Sequence, residues 1–392
     1  MIQHIEKQIE HEKEEMIGLR RMLHRIPEIA FREEKTSELV ADRLEQFGLT
    51  VSKGIAKTGV IGLLTGFQEG KTIMIRADMD ALPLQEQTDV DYVSQHEGQM
   101  HACGHDGHMA IALMVAKILS KNKDRVRGNV KFVFQPAEEG PGGARGMIDE
   151  GVLEDPHVDA AIGLHIWNYL PVGKVGTRVG PLMASMDSFR LTIKGKQAHG
   201  AIPQDGVDAI VVSGNVIGAL QTVVSREVSP VNPCVVTIGT IQGGRAFNII
   251  ADRVEMEGTV RALDPDLHKT LPERMERIVH GVTSGMRGEY ELEYNFLYPA
   301  TINDEAMTQL IEKTAATVVG KQNVVRAEQT MGGEDMAFYL QKVPGCYFFL
   351  GSANKEKGLD APHHNSRFNF DEGCLSIGVE IMVRAVLHYL GA

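Results

Sequence analysis

Cysteine is scarce in this chain, tryptophan occurs once, aromatics make up 6% of residues, and positive charge is in the minority. Each shortage removes a class of protein. The four cysteines, Cys103, Cys234, Cys346 and Cys374, stand far apart with no CxxC pair. Neither a zinc knuckle nor a small disulfide scaffold can be read from them, and a reducing, cytoplasmic setting is expected. The formal charge of -12, from 40 Lys and Arg against 52 Asp and Glu, argues against a nucleic-acid partner, because phosphate backbones are gripped by clustered cations. The opening residues, MIQHIEKQIEHEKEEMIGLRRMLHRIPE, alternate charge with apolar positions and hold no continuous apolar stretch of signal-peptide or membrane-spanning length. Neither secretion nor membrane insertion is expected.

What is present is an ordinary globular composition, 43% apolar and 23% charged, spread over 392 residues. That length exceeds a single core, so roughly two domains are expected, each able to bury one without staples. Ile5, Ile9, Met16, Leu19 and Leu23 recur on one helical stripe that Pro27 ends, and a second helix is predicted over Lys35 to Phe47. Short apolar runs (VIGLLTG, TIMIRA, NVKFVFQ, AAIGLHI, CYFFLG) then alternate with helical segments over Met109 to Leu119 and Cys374 to Tyr389. The alternation predicts an α/β fold, a sheet with helices on its faces.

The middle of the chain has a pattern of its own. FRLTIKGK, CVVTIGTI, RVEMEGTVRAL and YELEYNFLY read as strands, with helices over Val207 to Val228 and Leu267 to Met286. This βαββαβ order is that of a ferredoxin-like unit, and it divides the chain into residues 1-185 with 300-392 and an inserted domain over 186-299. In such an order the first two strands run the same way. The loop holding His199 (GKQAHGAIP) and the hairpin holding Asn248 (GGRAFNIIAD) therefore emerge at one end and can reach a single ligand.

Five candidate metal ligands are expected in short loops that each follow an apolar, strand-like run: Cys103 and His105 in MHACGHDGH, Glu139 in FVFQPAEEG, His165 in IGLHIW and His364 in PHHNSRF. Thiolate, imidazole and carboxylate together suit zinc, manganese or cobalt. Ligands collect beyond the carboxyl ends of strands in open α/β sheets, and Asp78, Asp80, Glu138, Glu139 and His165 all follow such runs. Adjacent loop glutamates point in different directions, so Glu139 is assigned as ligand and Glu138 as general base and later general acid; the alternative is a pair of solvated carboxylates. Three histidines, a cysteine and an aspartate within MHACGHDGH are hard to explain as surface residues. Cys103, as a thiolate, can bridge two ions, and Asp106 can orient an imidazole. Asp80 is placed as an orienting carboxylate ahead of a ligand, with a turn role before Pro83 as its alternative. Of the adjacent pair His363 and His364, one faces the metal.

Taken together, LRRMLHRIPE, IRADMDALP, MHACGHDGH, FQPAEEGPGGARGMI, GLHIW, GKQAHGAIP, GGRAFNIIAD, GGEDMAFYL and HHNSRFNFDE resemble the M20 metallopeptidase and amidohydrolase family over nearly the whole chain. The branch is that of indole-acetyl-amino-acid hydrolases, hippurate hydrolases and N-acyl-amino-acid or N-acetyldiaminopimelate deacetylases. The resemblance implies a dinuclear centre held by Cys103, His105, Glu139, His165 and His364, with two divalent ions drawn from Mn, Zn, Co or Ni. It implies Glu138 as acid/base and the inserted domain as a lid through which a homodimer or higher oligomer forms. Many M20 relatives carry a bridging aspartate where this chain has Cys103, and a thiolate there is what this branch is expected to show. His199 would enter the partner's active site to stabilise the oxyanion, and Asn248 would hold substrate. Arg261 is a candidate partner for a substrate carboxylate, with a surface or interface salt bridge as its alternative. The implied reaction is hydrolysis of an N-acyl amino acid. A dipeptidase or exopeptidase with the same centre, and a metal-dependent binding protein without turnover, are the alternatives.

Overall fold

The computed structural model describes residues 2-391, which fall into two compact units. The larger comprises residues up to Gly180, Ile302–Glu328 and those from Asp335 on. Its longer helices are α1 (Ile2–His11), α2 (Lys13–Arg25), α3 (Glu34–Gln46), α4 (His105–Lys121), α5 (Glu305–Val319) and α6 (Gly373–Tyr389). Its strands are β1 (Thr50–Ile55), β2 (Gly59–Thr65), β3 (Gln68–Asp78), β4 (Arg127–Gln135), β5 (Ala160–Pro171), β6 (Val175–Thr177), β7 (Val324–Arg326) and β8 (Gly345–Ala353), in the sheet order β1-β2-β4-β3-β5-β8-β6-β7.

The centre of this mixed sheet is parallel, β4 with β3, β3 with β5 and β5 with β8. Parallel strands are covered on both faces and so read as unbroken apolar runs; every residue of β8 is buried. The N-terminal stripe of Ile5, Ile9, Met16, Leu19 and Leu23 lies in the same core as α4, α6 and the odd positions Ile73, Ile75 and Ala77 of β3. One helix was expected there, and two are found. They part at Glu12, whose carboxylate is drawn to Lys117 (2.7 Å) and Lys121 (2.5 Å) of α4.

The second unit is Pro181–Thr301 with Gln329–Glu334. The four strands of its main sheet, in chain order Met186–Lys194, Cys234–Gly243, Arg253–Ala262 and Glu289–Tyr298, lie side by side as second, third, first and fourth, every neighbour antiparallel. Phe189, Leu191 and Ile193 pack with Val212, Val216 and Leu220 of the helix Ala209–Thr222 and with Leu271, Met275 and Val279 of Pro265–Gly285. Gln329–Glu334, distant in sequence, joins this unit where Ala184 N meets Thr330 O (3.1 Å) and Gly332 O (3.0 Å). Among the described residues only Ala209–Glu227 is long and apolar enough to cross a membrane, at 19 residues and mean hydropathy 1.3. Its Val212, Val216 and Leu220 face is spent on this unit's own core.

Candidate metal and catalytic site

Three adjacent strands of the larger unit carry acids and imidazoles to one rim. Asp78 closes β3, Glu138 and Glu139 follow β4, and His165 lies in β5. His165 is not in a loop, as the sequence suggests, but midway along its strand. Pairing between β3 and β5 stops at Arg76 and Gly163, so His165 stands clear of β3 while still paired with Phe349 of β8. His105 is the first residue of α4, after Gly104 at φ 91°. Gly107 lets that helix end approach β5, since an added Cβ would lie 2.3 Å from Ile166 Cδ1. Two non-glycine residues here hold the left-handed backbone, Ala137 (φ 57°), immediately before Glu138, and His364 (φ 61°). Such conformations persist only where surroundings enforce them; Ala137 N donates to Glu33 Oε1 at 3.0 Å and Ala137 O accepts from Gly142 N at 3.0 Å.

The hydrogen bonds of each imidazole decide which nitrogen is left for a metal. His105 Nδ1 donates to Asp80 O (2.8 Å) and its Nε2, fully buried, has no hydrogen-bond partner. His165 Nδ1 donates to Ile166 O (2.6 Å), which turns an unprotonated Nε2 toward Cys103 Sγ at 3.5 Å. Sulfur and nitrogen on one tetrahedral cation, at about 2.3 and 2.0 Å, stand about 3.5 Å apart. His364 Nε2 lies 2.9 Å from Glu139 Oε1 without hydrogen-bond geometry, and that oxygen is otherwise unpartnered. His108 is excluded as a ligand, because Nδ1 donates to Asp78 Oδ1 (2.6 Å) and Nε2 accepts from Ile166 N (2.8 Å).

Donor atoms of Cys103, Glu139 and His364 lie within 4.8 Å of one another, as do those of His105, Glu138 and Glu139, and those of Cys103, His165 and His363. Cys103 and Glu139 each belong to two groups. Orphaned nitrogen and oxygen atoms, a sulfur shared between groups and mixed N, O and S donors fit a divalent cation centre. The electrostatics agree. Burial and then Glu139, Glu138 and Asp78 push the Cys103 thiol well above its ordinary range. Burial opposes the charge on His105, but Asp78, Asp80 and Glu139 outweigh it and lift the imidazole to about 10. The carboxylates that contribute to both shifts favour a cation beside these two residues. His165 is driven well below its usual range by burial, then by His108 and His363.

Asp80 accepts from Glu138 N and Glu139 N, both at 3.0 Å, while its carbonyl holds His105. One aspartate thus fixes the glutamate loop and one imidazole together. Asp78 is held by Arg76 Nη1 (2.7 Å) as well as His108, and Arg76 Nη2 reaches Asp335 Oδ1 (2.8 Å).

Asp106 does contact an imidazole, but that of His24 on α2 (2.7 Å), beside Arg20 Nε (2.8 Å). His24 Nε2 also meets Glu86 (3.2 Å), and although burial opposes it, hydrogen bonds to Asp106 and Glu86 raise the pKa of the imidazole. Arg20 is fully buried, with Tyr92 and Phe370 rings 4.8 and 4.3 Å from its guanidinium carbon. Sequence analysis assigns Arg20 and His24 no role. The available signal was two polar residues, Arg20 and His24, four apart on the Met16 stripe. Replacing Arg20 with Met leaves Asp106 and Glu372 short of a buried partner, and the expected cost is about 3–5 kcal/mol, read as a lower urea midpoint of the metal-free protein. An unchanged midpoint would deny the network a structural role.

In the second unit His199 pairs in register with Ile249, and Gly200 N donates to Asn248 O at 2.8 Å, so the two loops do meet. His199 is exposed, and its Nδ1 accepts from Ala201 N (3.0 Å), which leaves Nε2–H as an outward donor. Arg261 lies on the third strand, partly buried; burial lowers its pKa and Asp187 offsets this only in part. No ion pair of Arg261 is found among the described residues.

The model of "Peptidase family M20/M25/M40" matches residues 74–388. The chain is 40% identical over 363 residues to N-acetylcysteine deacetylase of Bacillus subtilis, covering 92% of this chain and 93% of the relative. It is 39% identical over 382 residues to thermostable carboxypeptidase 1 of Saccharolobus solfataricus, covering 96% of each. Among solved structures it is similar to the YXEP protein of Bacillus subtilis, described as a dinuclear metal binding peptidase from the M20 family, at 34% identity and TM-score 0.84 over 97% of this chain and 99% of that one.

Proposed function

Because the chain belongs to peptidase family M20/M25/M40 and is a hydrolase, we propose that it cleaves the amide bond of N-acyl-L-amino acids, releasing a carboxylate and a free amino acid. The observation that carries the reading is a buried carboxylate, Glu138, beside donor atoms that lack other partners, His105 Nε2 and Glu139 Oε1. Cys103, His105, Glu139, His165 and His364 would hold two divalent cations, in line with the dinuclear YXEP relative; manganese, zinc, cobalt and nickel all suit the donors. Such a pair, when bound, polarises the scissile carbonyl and acidifies water.

The chain's own residues do the rest. Glu138, its backbone N–H fixed on Asp80, takes a proton from water as the water oxygen attacks the carbonyl carbon. The developing oxyanion is met by an Nε2–H donor on His199, supplied by a partner subunit. As the C–N bond breaks, Glu138 passes its proton to the departing nitrogen, so water's two hydrogens end on the two products at neutral balance. Asn248 holds substrate beside His199, and Arg261 meets the α-carboxylate of the leaving amino acid.

The ferredoxin-like unit serves as the dimerising lid in this reading. Its support is an edge strand, Cys234–Gly243, paired on one side only, and large exposed apolar residues, Ile210, Val211, Ile241 and Phe247. Unpaired edges and apolar patches are surfaces that partners cover. Light scattering on the purified protein is expected to give twice the chain's mass; a fully active monomer would remove the cross-subunit role of His199.

The carboxypeptidase relative supports a second reading, a peptidase with the same centre. Both readings share a free carboxylate on the leaving amino acid and differ in what lies on the acyl side. Acetyl-, benzoyl- and indole-acetyl-amino acids compared with dipeptides, on protein loaded separately with each cation, separate them. Higher kcat/KM on the N-acyl series is expected, and preference for dipeptides would favour the second reading.

A further inference from the structure

His363 lies among the donors, yet its hydrogen bonds give it a different part from its neighbour His364. Asn168 N donates to His363 Nε2 at 3.2 Å, and His363 Nδ1 faces Cys103 Sγ at 3.8 Å. A neutral imidazole has one N–H. With Nε2 accepting, the proton sits on Nδ1 and points at the sulfur. Ligation through Nδ1 would need that nitrogen bare and Nε2 protonated, setting two N–H groups against each other across 3.2 Å. Asn168 is not free to turn away. Its Nδ2 donates to Ala361 O (3.0 Å) and Asn369 O (2.8 Å), and its Oδ1 accepts from Ser352 Oγ (2.6 Å). The ring itself is packed against Trp167 and Phe368, each with its centroid 5.0 Å away.

We propose that His363 is a positioning residue that donates an Nδ1–H hydrogen bond to the Cys103 thiolate and is not itself a ligand. A donor on a thiolate draws charge from sulfur, weakens its donation to the cations and leaves them better able to polarise a carbonyl. The chain Ser352–Asn168–His363–Cys103 sets this through successive hydrogen bonds. The inference rests on the proposed role of Cys103 as a metal-bound thiolate.

Cobalt(II) tests it, because a thiolate bound to cobalt gives a near-ultraviolet charge-transfer band whose energy follows the charge on sulfur. In His363→Asn the amide Nδ2 can replace Nδ1 as donor; in His363→Gln the amide reaches the Nε2 position and the donor to sulfur is lost. The expected result is two cobalt ions per chain in wild type and both variants, a band shifted to longer wavelength in H363Q, and a band near the wild-type position in H363N. A band unmoved in H363Q with both ions retained overturns the proposal, as does loss of one ion in both variants, which would make His363 a ligand. Absence of the band from the wild-type cobalt protein overturns the thiolate reading itself and the proposal with it. Thermal midpoints of the two polar variants, measured without metal, show whether either is misfolded; if H363Q alone is, Asn168→Pro, which removes the N–H that fixes the tautomer, is expected to move the band as H363Q would, and an unmoved band overturns the proposal.

Discussion

Glu138→Gln is expected to lower kcat by roughly 10²–10⁴-fold, the range that general acid and base catalysis supplies, while the protein is expected to keep both cations. The substitution preserves the size of a buried side chain, keeps the backbone N–H on Asp80, and removes the capacity to take and return a proton. Donor atoms of Glu138 also fall in one group with His105 and Glu139, so a role as ligand is the competing account, and elemental analysis divides the two. Turnover lost with two ions retained makes Glu138 the acid/base. Turnover lost together with one ion makes it a ligand, and the proton would then need another carrier. KM is expected to change little, since a neutral amide in the same place leaves the binding of substrate to other groups.

Legibility followed how each feature is encoded. The central strands were readable because parallel strands buried on both faces appear as continuous apolar runs, and the rim residues because polar groups directly after such runs sit where open α/β sheets collect ligands. His165 escaped that rule in detail. Its strand outruns β3, and pairing length is a property of two strands that neither sequence shows alone. The divided N-terminal helix was missed because the stripe through Ile5 and Leu23 stays in phase across the break at Glu12. Histidine roles were the least readable. His108 and His363 each have Nε2 taken by a backbone N–H, of Ile166 and of Asn168, from elsewhere in the fold, whereas His364 Nε2 lies against Glu139. The placement of Gln329–Glu334 with the second unit likewise depends on long-range pairing with Ala184.

The other large effect belongs to Cys103, because its sulfur is common to the group with Glu139 and His364 and the group containing His165. Removing a ligand held by one cation should weaken one; removing a shared one should weaken both. In Cys103→Ala the metal content is expected to fall from two ions toward none at micromolar free metal. Activity should fall by ~10³-fold or more, since stabilisation by the cations is worth several kcal/mol. The thermal midpoint in the presence of metal should then match that of the metal-free protein, because binding no longer favours the folded state. His364→Ala, by contrast, should lose one ion and keep the other. Cys103→Asp tests the shared position without emptying it. A carboxylate can bridge with its two oxygens, so two ions should return. Exchange of a soft donor for a hard one should shift preference from zinc toward manganese. The site also favours this substitution over serine, because burial and surrounding carboxylates already oppose a lone anion at this position, and only a group that ionises readily and meets both cations offsets that. Two tightly held ions in the alanine variant would show that the sulfur bridges nothing, and the centre would have to be rebuilt around Glu139 as the shared donor.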